Sequence, residues 1–428
     1  MQKILIIAYY WPPAGGPGVQ RWLKFVKYLR DFDIEPIVYV PENPNYPIND
    51  SSLEAEIPEG IKILKQPIFE PYKLAAIFSK KKTQRISSGI IQKRKKQSFL
   101  EKVLLWIRGN LFIPDARKYW VKPSVKFLSD FIEKEDIKTV ITTGPPHSIH
   151  LIGLGLKRQK SISWITDFRD PWTTIGYHKK LKLTKSSRQK HKELEKLVLS
   201  TADKIVVTSN NTKKEFEKLT NKPIQVITNG YDGAVVKTEL DKKFSIAHIG
   251  SLLTDRNPEV LWKVLGELTK ENEAFKEALE VRLVGVVGKE VFASLKQHGL
   301  ASFVDELGYL AHTEVLELQP KSQILLLLEI NSAETRGILP GKLFEYLNAK
   351  RPILAIGPEG WEAAEIIKET DSGLGLVSND ESALKNVLLE WFELYQKGEL
   401  RLNPKGIEKY SRKQLTQQLA NFIRWESS

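Results

Sequence analysis

Short, almost wholly apolar runs recur along the chain, and each is followed by a segment whose apolar residues fall at helical spacing. Ile4-Leu5-Ile6-Ile7-Ala8 opens the series, a Pro/Gly-rich loop from Trp11 to Gly18 follows, and Val19, Trp22, Leu23, Phe25, Val26 and Leu29 then line one helix face. The same reasoning predicts strands near 37–40, 61–64, 139–142, 162–165, 204–208 and 224–227, and helices near 125–131 and 186–199. The series restarts near 244–249, ends that run at Gly250, and continues near 281–284, 303–307, 324–328, 353–356 and 374–377. Strands that are apolar on both faces and alternate with helices belong to parallel sheets covered on both sides. The expected fold is α/β, with two Rossmann-like domains over residues 1–235 and 236–406 and a polar linker within 229–243. Residues 407–428 hold a last amphipathic helix with no strand after it, expected to pack back on the N-terminal domain. Parallel sheets facing each other across a cleft would present the carboxyl ends of their strands there, which is where open α/β sheets bind ligands.

Composition narrows the class. A chain of 428 residues exceeds one ordinary core, and no apolar run approaches the ~20 residues that cross a bilayer. The first apolar run is too short for a signal sequence and reads as a buried strand. With no cysteine there is neither a disulfide framework nor a thiolate site, so a cytoplasmic location is expected. The net charge of +13 calls for anionic partners. Between Lys80 and Lys96 lie eight basic residues and no acidic one, and the apolar-aromatic runs 103–107 and 111–113 follow. Basic residues beside Trp106 and Leu111 suit an anionic membrane surface, which makes region 80–113 a candidate peripheral contact at the inner membrane face. A solvated basic loop is the alternative. Nucleic acid is disfavoured, because no reading motif accompanies the charge.

Three clusters carry candidate chemistry. The loop after the first strand presents Gly15, Gly16 and Gly18 ahead of a helix N-terminus, where backbone can approach a diphosphate or an acceptor phosphate. It is not GxGxxG, so a dinucleotide cofactor is disfavoured. In the segment Gly337 to Leu347, Pro340 and Gly341 start a helix, and Lys342 places a cation in its first turn, where the dipole alone would not favour one. An anion held between Lys342 and the helix N–H groups would explain that choice. Glu345 lies on the same face one turn on and could accept hydrogen bonds from a vicinal diol. The third cluster, Asp167-Phe168-Arg169-Asp170-Pro171-Trp172, ends a strand; Asp167 or Asp170 could contact an acceptor or the moving sugar, with Arg169 holding the site together. His147 follows the strand-ending Gly144-Pro145-Pro146 and could line the same cleft, whereas His147 and His150 lack a third ligand for a metal. Asp31-Phe32-Asp33 reads as a polar helix end rather than a metal motif.

The segments YYWPPAGGPG, DFRDPW, TNGYD, HIGSLLTDRNPEVL and GILPGKLFEYLNAKRPILAIG, in this order over most of the chain, resemble glycosyltransferase family 4, of the GT-B fold. The resemblance implies a retaining transfer of a sugar from a UDP- or GDP-sugar, without a metal, to a glycan or polyprenyl-linked acceptor. It implies that Gly16 and Arg256 face the donor diphosphate with Lys342 beside them, near Gly250, Gly341 and Leu343, and that Glu345 holds the ribose. Two positions depart from the family pattern. Gly337 stands where the first carboxylate of the Glu-x7-Glu motif would touch the transferred sugar, with Glu334 as a nearby substitute, and Ser251 replaces the usual Arg after Gly250. A sugar-nucleotide epimerase of similar fold is the alternative within this resemblance.

Overall fold

A computed structural model describes residues 1–71, 99–179, 181–234, 236 and 238–425. The expected basic run from Lys80 to Lys96 lies outside the described residues. The chain divides into two compact units, one of residues 1–228 with 412–428 and one of residues 229–411.

The first unit holds a seven-stranded sheet. Its strands are β1 (Gln2–Ile7), β2 (Ile34–Pro41), β3 (Lys62–Gln66), β4 (Thr139–Gly144), β5 (Ser163–Phe168), β6 (Lys204–Val207) and β7 (Ile224–Val226). They lie in the order β3-β2-β1-β4-β5-β6-β7, and every pair is parallel. Apolar faces explain this arrangement: Ile4, Leu5, Ile6 and Ile7 are all fully buried, so β1 needs cover on both sides. The helix Pro17–Leu29 covers one face through Val19, Trp22, Leu23 and Val26, and on that face it meets the helix Arg412–Arg424 through Leu415, Leu419 and Ile423. Lys204 donates to the carbonyls of Phe422 (2.8 Å) and Ile423 (3.0 Å), placing a cation on the orphaned carbonyls at that helix's C-terminus. The other face packs against the helices Val121–Lys134 and Ser148–Gln159.

The second unit holds a six-stranded sheet of β8 (Phe244–Ile249), β9 (Leu279–Val284), β10 (Val304–Gly308), β11 (Ile324–Leu328), β12 (Ile353–Gly357) and β13 (Gly373–Val377). Their order is β10-β9-β8-β11-β12-β13, again all parallel. One face packs on the helices Glu259–Glu271 and Glu381–Gln396 through Leu261, Val264, Leu388 and Phe392. The other packs on the helix Gly341–Ala349 through Leu343, Phe344 and Leu347. Strand order reverses at β1/β4 in the first sheet and at β8/β11 in the second, and ligands of doubly wound sheets bind beside such switch points. Among the described residues no helix is long and apolar enough to cross a membrane.

Candidate active site

The second unit gathers its predicted residues at the β8/β11 switch. After Ile249 the chain turns at Gly250, whose φ of 116° is a conformation that glycine adopts without strain. A Cβ there would come within 3.5 Å of the Lys342 Nζ, so the turn lies directly against that ammonium. Lys342 reaches back from the first turn of the helix Gly341–Ala349 and donates to the Ile249 carbonyl (3.0 Å). It also stands 3.3 Å from His248 Nε2, while His248 Nδ1 lies 3.1 Å from the Leu326 carbonyl. That geometry fits the tautomer with its proton on Nδ1. Burial, and then the Lys342 charge, hold His248 far below its ordinary value and therefore neutral. Burial and the neighbouring Arg256 push the Lys342 ammonium down to about 7. Among the described residues no side chain caps the N-terminus of this helix, and Lys342 places a destabilised cation in its first turn.

Arg256 forms a two-pronged ion pair with Glu329, Nε to Oε1 and Nη2 to Oε2, both 3.1 Å. Glu329 directly follows β11; its side chain is fully buried, and its Oε1 also accepts from the Ile330 N–H at 2.8 Å. The Arg256 side chain keeps 36% of its surface exposed. The pair lines a polar cavity of about 200 Å³ together with Asn257, Asn331, Ser378 and Asn379. Glu345 is partly buried and accepts from Gln319 Nε2 at 3.0 Å. Leu343 is fully buried in the core and its N–H bonds to the Pro340 carbonyl, so among the predicted donor residues its side chain serves packing. Glu334 is exposed in the turn Ala333–Thr335, while Gly337 is half-buried.

In the first unit the three glycines of the loop separate into different duties. Gly15 is fastened to the segment around Ile48: its N–H bonds to the Ile48 carbonyl at 3.0 Å, and an added Cβ would lie 2.9 Å from that side chain. Gly16 has a φ of 105° and nothing within 4 Å of an added Cβ, so it is the open position of the loop. It precedes a helix with no side-chain cap. Gly18 makes room for Arg169, because a Cβ there would fall 1.6 Å from Nη1. Arg169 in turn donates to the carbonyls of Gly144 (3.3 Å) and Pro145, which joins the glycine loop to the end of β4.

The two carboxylates of the Asp-Phe-Arg-Asp segment differ sharply. Asp167 is fully buried and accepts from Arg21 at 2.9 and 3.4 Å, Trp22 Nε1 at 2.7 Å and Thr143 Oγ1 at 2.8 Å. Burial works against its charge, but Arg21 and these donors outweigh it and hold the carboxyl below its ordinary value. Asp170 is only half-buried, and burial raises its carboxyl against the opposing pull of Arg169. His147 stacks on Trp172 with ring centroids 4.8 Å apart and planes 2° from parallel. Among the described residues neither of its ring nitrogens has a hydrogen-bond partner, and burial keeps it neutral. Asp31 lies in a short turn after the first helix and pairs with Lys413 at 2.9 Å, as a polar helix end would.

Sequence reasoning passed over Arg21, Glu329 and His248. Arg21 had one readable signal, a charge among the apolar positions of an amphipathic helix, and Glu329 had another, a lone acid closing the run Ile324 to Leu328.

No protein-family model and no curated protein matches the chain. Its structure is similar to that of a glycosyltransferase from Rickettsia africae ESF-5, at 14% identity and a TM-score of 0.62 over 100% of this chain and 99% of that one. It is also similar to a variant of S. aureus TarM in complex with fondaparinux, α-GlcNAc-glycerol and UDP, at 12% identity and 0.58 over 99% and 100% of the two chains. A Listeria monocytogenes protein assigned as a UDP-N-acetylglucosamine 2-epimerase matches at 12% identity and 0.54, over 99% and 95%. Likeness at these identities speaks for architecture, and the architecture is GT-B: two α/β units, each built on a parallel sheet whose strand order reverses beside its candidate residues.

Proposed function

We propose that this chain is a glycosyltransferase that moves a sugar from a UDP- or GDP-sugar to a glycan or lipid-linked glycan, with retention and without a metal. The observation that carries the proposal is the constellation at the end of β8: Gly250, Lys342 with its depressed ammonium, Arg256, and the uncapped helix Gly341–Ala349. A departing nucleoside diphosphate carries negative charge at the moment the glycosidic bond breaks, and preorganised cations and N–H dipoles stabilise that charge. Glu345, partly buried and already oriented by Gln319, is positioned for a ribose diol. The acceptor oxygen attacks the face the diphosphate vacates, and the diphosphate oxygen takes the acceptor's proton, so no side chain is assigned as base. Asp170, Arg169 and His147 form the acceptor side, with Gly16 as the open position of the loop. Asp167 acts behind them as a positioning residue.

The reading is tested by incubating the chain with UDP- and GDP-sugars and following both thermal stabilisation and release of nucleoside diphosphate in the presence of glycan acceptors. Stabilisation by one nucleotide family, growing with its concentration, is the expected result; indifference to every nucleotide sugar would overturn it. Asp170→Asn should lower turnover about a hundredfold or more while leaving nucleotide binding unchanged, a loss within the range expected for a residue acting on the reacting groups.

The epimerase reading draws support from the Listeria monocytogenes likeness. Incubation with a nucleotide sugar alone separates the two, because an epimerase changes the sugar without an acceptor and a transferase does not.

A cytoplasmic location at the inner membrane face belongs to the same proposal. In the helix Phe99–Leu111 and beside it, Trp106, Leu111, Phe69 and Tyr119 are exposed, and the Lys118 ammonium lies over the Phe112 and Tyr119 rings at 5.5 and 5.3 Å. Exposed aromatic rings with a cation among them suit the boundary between water and an anionic bilayer. Co-sedimentation with anionic vesicles at low salt tests this, and the protein remaining in the supernatant would exclude it.

A further inference from the structure

The first unit contains a cavity of about 430 Å³ that the donor site does not use, lined by Thr173, His178, Leu183, Arg188 and Lys192. Arg188 and Lys192 stand one turn apart on the helix Lys185–Thr201, so their cations share one face at the mouth of the cavity. His178 is more than nine-tenths buried, and its Nε2 has no hydrogen-bond partner among the described residues. Behind it, His191 packs edge-on against the His178 ring with centroids 4.5 Å apart. Burial lowers the His178 imidazole to about 4. The acid bonded to the lining's Thr173 is already committed: Glu195 accepts from the Trp172 and Thr173 N–H groups and from the Thr173 hydroxyl at 2.5 Å. Two cations and an unmatched imidazole around one cavity form an environment that favours an anion.

The cavity connects by direct contacts to the candidate reacting side. His147 stacks on Trp172, the Trp172 Nε1 donates to His191 Nδ1 at 3.1 Å, and His191 packs on the His178 that lines the cavity. We propose that this cavity is the subsite for a phosphate or diphosphate group of the acceptor, held by Arg188 and Lys192 with His178 behind them. Phosphate oxygens suit such a setting, because Arg presents a planar fork of donors and Lys a point charge. The assignment to an acceptor rests on the glycosyl-transfer reading, but the anion site itself does not depend on it.

The test uses the full chain and inorganic diphosphate, titrated by calorimetry into the wild type, an Arg188→Ala/Lys192→Ala double variant and Lys342→Ala. Arg188 and Lys192 are exposed side chains, so their replacement leaves the core intact. Two sites are expected in the wild type, with the double variant losing one and Lys342→Ala losing the other, each by at least tenfold in affinity. Unchanged stoichiometry and affinity in the double variant overturn the proposal, whereas an unchanged Lys342→Ala would overturn only the donor assignment. A second arm uses neutral vesicles carrying a polyprenyl phosphate. Loss of vesicle binding in the double variant together with diphosphate binding identifies a lipid-linked anion, and loss of diphosphate binding alone identifies a soluble phosphorylated acceptor.

Discussion

Asp167 in the first unit and Glu329 in the second stand at or just past the end of a central strand, and each side chain is buried against an arginine. Their cations differ. Arg21 is fully buried and donates also to the Thr228 carbonyl at 2.7 Å, so the Asp167 pair is closed on all sides. Arg256 keeps more than a third of its side-chain surface exposed over a polar cavity, while Glu329 fixes its position from behind. The same motif pins a helix to a sheet in one place and in the other holds a partly exposed cation over a cavity. The exposure of the arginine, more than the burial of the acid, distinguishes the two.

The largest effect that can break this comparison is Asp167→Ala. It leaves Arg21 charged and unmatched in the core, so chemical unfolding should show a loss of about 3–5 kcal/mol. Nucleotide affinity of the folded protein should not change; an equal loss there would mean that Asp167 touches a ligand after all. Next, Arg256→Ala should weaken nucleoside diphosphate binding by about a hundredfold, as expected for one charge-assisted contact together with the loss of a fixed cation. If calorimetry finds the affinity intact, Arg256 belongs with Arg21 as a structural cation. Gly16→Ala probes the open loop position and should cost about 1–3 kcal/mol, because an alanine is strained at this φ. Its unfolding midpoint reads that cost. The smallest and most specific effect is pH dependence. Lys342 is protonated below its value of about 7 and neutral above it. A bound diphosphate favours the charged form, so affinity should fall as pH rises through 7, by at most about tenfold per unit. Lys342→Ala should flatten that profile.

The central strands were legible because they are apolar on both faces, a signature that needs no partner to be read. Phe244–Ile249 and Ile324–Leu328 fall where the apolar runs stop, and the parallel order follows from the helices between them. The helix at Gly341 was legible for a similar reason, since Pro-Gly followed by Lys and Glu at one-turn spacing is a local pattern. What stayed hidden was long-range. Nothing near Asp167 announces Arg21, Trp22 or Thr143, so a carboxylate that holds the fold together read the same as one that meets a substrate. The glycine loop was visible as a loop, but the separate duties of Gly15, Gly16 and Gly18 depend on Ile48 and Arg169, which the chain brings in from elsewhere. The cavity beside His178 combines a loop and a helix face, neither of which carries a motif.

The helix Arg412–Arg424 completes the core of the first unit after the chain has passed through all of the second. During synthesis, the ribosome therefore makes the six-stranded sheet while Val19, Trp22, Leu23 and Val26 still lack part of their cover. The second unit has its whole sequence available before the first does, although the first is begun earlier. A shortening at residue 411 would consequently damage the fold at its other end, leaving the residues around Lys342 and Arg256 in place and uncovering the helix that follows the glycine loop.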